Sequence, residues 1–286
     1  MLRPETIARL QRLGKQLAAG QKGPARKFST PGEQTHESAD YRIDSVPAKR
    51  DRGLDAGEPV DTSCGSHLLV RKPLRDLWET AGDFVDNWRE KNAKNVSREK
   101  DDAYREFLRW FPQHTVFLDL ETCGFAGSPV FLAGILHWID GELCLSQYWA
   151  RNYAEEGPMM QSLREELASQ KVMVTFNGKS FDWPQVRDRC VLHTGSVDGD
   201  LPEFVQVDLL HMARRRWKKM LPNCKLQTIE TYIFGRQRHG DIPGGDIPLV
   251  YEHYVRTGAT RDANRILHHN ALDLITLLQM ALCIRD

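Results

Sequence analysis

The chain lacks paired cysteines, long apolar runs and any excess of charge. Its six cysteines, Cys64, Cys123, Cys144, Cys190, Cys224 and Cys283, are scattered, with no CxxC pair and no Cys/His cluster at zinc spacing. This excludes a disulfide scaffold and a zinc module, and points to reduced thiols in a cytoplasmic protein. No continuous apolar run approaches the roughly 18 residues that cross a bilayer. The N-terminal MLRPETIARLQRLGKQLAAG has no apolar stretch of the secretory kind, so neither membrane insertion nor secretion is expected. Lys+Arg and Asp+Glu both number 39, for a formal net charge of zero. Coating of nucleic acid by bulk charge is thereby excluded, and any such contact needs a local patch. Aromatic residues are scarce between Gly20 and Pro59, where Gly, Pro, Ser, Asp and Lys dominate. A stretch of that kind cannot offset its ordering entropy, so a flexible, loosely ordered extension is expected over residues 1–65. Within it, Ile7, Leu10 and Leu17 predict a short, fraying helix at Pro4–Ala19. A protein partner, if there is one, would dock through this extension. No internal repeat is present.

What remains is enough for one large domain. Of 286 residues, 41% are hydrophobic and 27% charged. Residues 66–112 read as a mostly helical lead-in, with a short strand at Leu68–Val70 and helices at Leu74–Trp88 and Ala103–Trp110. From 113 to 286 the pattern is denser. Strands are expected at Thr115–Leu120, Val130–Trp138 and Glu142–Trp149, the last two joined by the turn signal Asp140-Gly141. There follow a helix at Glu155–Ser169, a strand at Val172–Phe176, a helix at Phe181–Leu192 and a strand at Phe204–Asp208. Helices at Leu209–Met220, Leu226–Phe234, Ile247–Thr257 and Arg261–Ile284 complete the chain. The expected fold class is α/β, a mixed sheet flanked by helices.

Three acidic features stand out. Asp119 and Glu121 alternate in an apolar strand, so they share a face. Two like charges at that spacing raise each other's pKa unless neutralised, and a hard divalent cation is a natural partner. Asp182 lies at a strand–helix junction, Thr175-Phe176-Asn177-Gly178-Lys179-Ser180-Phe181-Asp182, with Ser180 as the expected N-cap. Asp273 sits in an apolar helix, where an acid needs a partner. His269 lies four residues before it on the same face, and His268 one residue further back.

Taken in order, these segments resemble the three exonuclease motifs of the DnaQ-like (DEDD) superfamily. FLDLETCGF, FLAGILHW with QYW, TFNGKSFDWPQV, VDLLHMARRRWKK, CKLQTIE and HHNALDLITL resemble, more closely, the YprB-type ribonuclease H-like family, from Val116 to Leu282. The resemblance implies a ribonuclease H-like fold and a metal-dependent 3′–5′ exonuclease that hydrolyses single-stranded nucleic acid, DNA in preference to RNA. It implies that Asp119, Glu121, Asp182 and Asp273 hold two Mg²⁺ or Mn²⁺ ions. Asp119 would bridge them, Glu121 and Asp273 completing one site and Asp182 serving the other. Both His268 and His269 stand at positions that the superfamily uses for the general base, with His268 at the histidine spacing. Asn177 and Lys179 are candidates for substrate contact, and Asp208 reads as structural. The basic run Arg214-Arg215-Arg216 with Lys218, Lys219 and Lys225 is the candidate phosphate-tracking surface, above all Arg214, Arg215 and Lys218. Arg236, Arg238 and His239 would extend it. Three other readings are a binding module with an idle site, a structure-specific endonuclease, and a structural metal protein without turnover.

Overall fold

The computed structural model describes residues 53–92, 96–194 and 201–285. The helix expected at Pro4–Ala19 and residues 1–52 of the extension lie outside the described residues. The sheet begins earlier than the expected boundary at 65. Strand β1 (Glu58–Thr62) pairs antiparallel with β2 (Gly65–Pro73), which is longer than the expected Leu68–Val70 and pairs in turn with the strand Glu142–Trp149. Leu74–Trp88 is not one helix: a single turn at Leu74–Asp76 precedes α1 (Ala81–Asn92). The break follows from Trp78, which is buried while its indole N–H donates to Thr80 Oγ1 at 3.0 Å. Helix α2 (Asp102–Trp110) is N-capped by Asp101 and leads into the central strand.

That strand is β3 (Thr115–Thr122), flanked by β4 (Val130–Ile139) and β6 (Val172–Thr175). Strand β5 (Glu142–Trp149) returns from β4 through Asp140 (φ 48) and Gly141 (φ 95), the positive pair that a two-residue hairpin demands. Strand β7 (Val205–Asp208) closes the far edge. The seven-stranded order is β1-β2-β5-β4-β3-β6-β7, with β6 and β7 parallel to β3 and the other pairings antiparallel. Both faces of β3 are covered. Phe117 joins a core built with α1, α2, α5 (Leu209–Trp217) and the end of α8 (Thr260–Cys283). Val116, Leu118 and Leu120 join the opposite core, built with α3 (Glu156–Leu167), α4 (Asp182–Thr194), α7 (Ile247–Thr257) and the start of α8. Helix α6 (Leu226–Ile229) runs on into a wider turn, Glu230–Phe234, that ends at Gly235 in the left-handed region.

By length and composition α8 is apolar enough to cross a membrane, but it is buried here as the helix shared by both cores. Among the described residues none of the six cysteines is in a disulfide. The fold is a mixed sheet between helical layers, as expected. The last residues of β3 run past the end of β6, and there the site forms.

Candidate active site

Alternation along β3 puts Asp119 and Glu121 on the face of Phe117, under α8. The register aligns Asp119, Gly134 and Gln147 in one row across β3, β4 and β5. Asn270 of α8 rests on that row. Its amide nitrogen donates to Asp119 Oδ2 at 2.8 Å and to the Asp119 carbonyl at 3.2 Å. Its oxygen accepts from Gln147 Nε2 at 2.9 Å. Gly134 is what lets Asn270 come so close, because a Cβ there would stand 2.0 Å from its Oδ1.

Beyond the last β6 pairing, Leu120 N–H finds Asp182 Oδ1 at 3.3 Å. Asp182 is the first residue of α4, one position later than expected, and Ser180 belongs to the preceding turn, where its N–H donates to Asn177 O. Asn177 bends that turn at φ 69, a conformation asparagine tolerates better than most residues. Its N–H donates to Asp208 Oδ1 at 2.9 Å, and Asp208 also caps α5 through Leu210 N at 3.0 Å. Asp208 is therefore a brace between two loops. The side chains of Asn177 and Lys179 are exposed at the surface, while Trp183 is buried against Phe204.

Asp273 approaches from α8. Arg238 donates to its Oδ1, and His269 Nε2 lies 3.5 Å from its Oδ2. Asp241 fixes the His269 ring through Nδ1 at 2.9 Å. His269 is buried, and His268 is half-buried. The spacing favours His268 as base, whereas the oriented ring is that of His269. Arg236 and Arg238 do not extend a basic surface. Both guanidinium side chains are largely covered, Arg236 on Glu230 and Gln279, and Arg238 on Glu230, Asp241 and Asp273. The segment from Arg236 to Asp241 runs antiparallel to α8, meeting Thr276, Asp273 and His269 in turn.

Crowding sets the electrostatics. Burial pushes Asp119 well above the usual carboxylate range, with Asp273 and Asp182 adding to it and the Asn270 hydrogen bond opposing. Burial likewise raises Glu121, helped by Asp119, Asp273, Asp182 and Asp241. Burial takes Asp182 up to about 7 against its backbone hydrogen bonds. Asp273 is also raised by burial, with Arg238 and His269 opposing. For His269, burial is outweighed by the Asp241 hydrogen bond and the Asp273 and Asp241 charges, so its pKa is raised.

Among the described residues no three His, Cys, Asp or Glu side chains converge into a ready-made cation cage. Asp119, Asp182 and Asp273 each lean on a donor of their own through one oxygen. The donor set nevertheless fits a hard divalent cation. It is all carboxylate oxygen, Glu121 has no hydrogen-bond donor among the described residues, and burial makes every member hold its proton more tightly than an ordinary carboxylate.

The basic cluster stands apart from these groups. Helix α5 starts at Asp208 beside the site and runs about 13 Å away over nine residues. Arg214 and Lys218 are exposed there, and Arg215 pairs with Asp101 at 3.0 Å. Arg215, Arg216 and Arg285 line a recess of ≈ 350 Å³ with Met212 and Ile284. The sequence reading missed Gly134 and the partners of Asn270, Asp241 and Arg238. It also passed over Phe125, which stands 91% exposed on the loop after Glu121. A lone aromatic in a Gly-rich loop was the available signal.

Comparison with known proteins agrees with this architecture. Over 167 residues the chain is 35% identical to the uncharacterized protein YprB of Bacillus subtilis (strain 168), an overlap covering 57% of this chain and 40% of that relative. The chain therefore spans less than half the length of this relative. A profile described as RNase_H superfamily matches residues 116–283, well over half of the chain. The chain thus belongs to the RNase_H superfamily.

Proposed function

We propose that this chain is a 3′–5′ exonuclease of the DEDD type that hydrolyses single-stranded nucleic acid, DNA in preference to RNA, by two-metal-ion chemistry. One observation carries the reading. Asp119, Glu121, Asp182 and Asp273 come from three separate elements, each with its carboxyl proton affinity raised by burial, and Asp273 raises that of the other three. Such a group is costly to the fold unless a cation offsets it. The four carboxylates would hold two Mg²⁺ or Mn²⁺ ions. The chemistry that such ions would supply when bound there is activation of a water and stabilisation of charge on the leaving 3′ oxygen.

The chain's own groups do the rest. Asn270 holds Asp119 by Oδ2 and so presents Oδ1. Asp241 takes the Nδ1 proton of His269 in a hydrogen bond and leaves Nε2 facing Asp273, the orientation a general base needs. Phe125, exposed on the loop after Glu121, would offer a face for a terminal base to stack on. Lys179 and Asn177, exposed on the loop before Asp182, are within reach of the backbone phosphates of a strand entering there.

The test is degradation of a single strand labelled at its 5′ end and, separately, at its 3′ end, as DNA and as RNA, with Mg²⁺ or Mn²⁺. The 5′ label should give a ladder shortening one nucleotide at a time, and the 3′ label should be released as mononucleotide. A discrete internal cut would replace the exonuclease with an endonuclease. Binding without cleavage would make the chain a binding module. Comparing His268→Ala with His269→Ala decides the base: the variant with the larger loss of kcat at unchanged KM identifies it.

A further inference from the structure

Arg238 is only 5% exposed, yet it carries a full charge into an acidic recess. Its Nε and Nη2 grip Glu230 at 2.7 and 2.6 Å, its Nη1 reaches Asp241 Oδ2 at 3.1 Å, and Nη2 also donates to Asp273 Oδ1. One guanidinium therefore serves three carboxylates. Two of them have a second cationic partner close by: Glu230 has Arg236 at 2.8 Å, and Asp241 has His269 at 2.9 Å. Among the described residues Asp273 otherwise has only His269 Nε2 at 3.5 Å, too far for a firm hydrogen bond. Its neutralisation thus falls mainly on Arg238. A guanidinium does not give up its proton in a protein, so this charge stays in place when another cation enters.

We infer that Arg238 is a positioning residue that is also the resident counter-charge of the site. It fixes Asp273 by one oxygen and, by like-charge repulsion, sets how weakly the carboxylates hold divalent cations. The inference rests on the reading of Asp119, Glu121, Asp182 and Asp273 as cation ligands. Two effects compete when Arg238 is replaced. Loss of the hydrogen bond loosens Asp273, but Asp273 keeps its place on a buried helix. Loss of the charge removes a repulsion acting across a single carboxylate, where Coulomb energy is steep. The charge effect therefore governs cation affinity, and the lost orientation governs turnover.

The experiment is a Mn²⁺ titration of the full chain, with free ion read from its electron paramagnetic resonance signal. It compares wild type, Arg238→Gln, Arg238→Lys and Asp119→Asn, beside cleavage rates for each. Arg238→Gln should bind Mn²⁺ at least about tenfold more tightly while cleaving more slowly. Arg238→Lys keeps the charge without the fork, and should retain wild-type Mn²⁺ affinity while also cleaving more slowly. Unchanged or weaker Mn²⁺ binding by Arg238→Gln overturns the inference, as does an equal shift in the Gln and Lys variants. Should Arg238→Gln fail to fold by circular dichroism, the Glu230→Gln/Arg238→Gln double variant removes a buried acid together with the cation and should show a smaller tightening, because the weaker pull of Glu230 on Asp273 goes with the repulsion of Arg238; no tightening there overturns the inference too. If wild type binds no Mn²⁺ that Asp119→Asn loses, the cation-site reading itself fails, whatever Arg238 does.

Discussion

At the residue scale, the acids of the site make stability depend on pH in an unusual direction. Asp182 titrates at about 7 in the fold, and Asp119, Glu121 and Asp273 are raised as well. The folded state then holds protons that the unfolded chain has released. Stability is greatest below the ordinary carboxylate pKa and is lost as pH rises through the folded values. His269, also raised, acts in the same direction. In EDTA the melting temperature should therefore fall from about pH 5 to about pH 8, and Mg²⁺ should recover more of it at the higher pH. Asp182→Asn should flatten the fall. A wild-type curve that rises across this window, or one that Asp182→Asn leaves unchanged, would contradict this. Gly134→Ala probes the row beneath Asn270. With a Cβ 2.0 Å from Asn270 Oδ1, overpacking should cost about 1–3 kcal/mol in thermal unfolding and lower kcat with Asp119 unsupported. Much of this site was legible from spacing. A two-residue period put Asp119 and Glu121 on one face, and a four-residue spacing put His269 beside Asp273. Asn270, Asp241 and Arg238 were not legible, because their partners are 151, 28 and 35 positions away along the chain. A basic residue in a basic neighbourhood reads as surface, and only the fold reveals three acids around Arg238.

At the element scale, the hairpin, the parallel crossovers and the long last helix were written in local pattern, since Asp140-Gly141 and the apolar runs around it leave little choice. The edge strands were not. β1 reads Glu-Pro-Val-Asp-Thr, a poor strand by composition that exists because β2 pairs with it. The expected helix from Leu74 failed at Trp78, where core burial of one indole outweighs helical continuity. On the proposed reading the loop between β3 and β4 carries a stacking face for substrate. Phe125 is its most exposed side chain, so Phe125→Ala should leave the melting temperature unchanged and raise KM for single-stranded DNA about tenfold, the value of one stacked base. A drop in melting temperature with KM unaltered would assign Phe125 to packing instead.

At the scale of the whole molecule, zero net charge coexists with two segregated fields. The acidic recess lies where β3 ends, and the arginines of α5 lie about 13 Å further on. A single strand long enough to cover both would gain phosphate contacts that a short one cannot. Arg214→Ala combined with Lys218→Ala should therefore weaken binding of long oligonucleotides and flatten its salt dependence by about two charges, with trinucleotide cleavage unaffected. Equal loss for short and long strands would remove the cluster from the substrate path. The account as a whole stands on the four carboxylates acting as one unit, and the most direct measurement is cleavage of a 5′-labelled single strand by wild type and by Asp119→Asn, Glu121→Gln, Asp182→Asn, Asp273→Asn and Asp208→Asn. The account predicts losses of at least about a hundredfold for each of the first four, with Asp208→Asn, the loop brace, keeping most of the activity in whatever fraction remains folded. Full activity in any of the first four variants would contradict it.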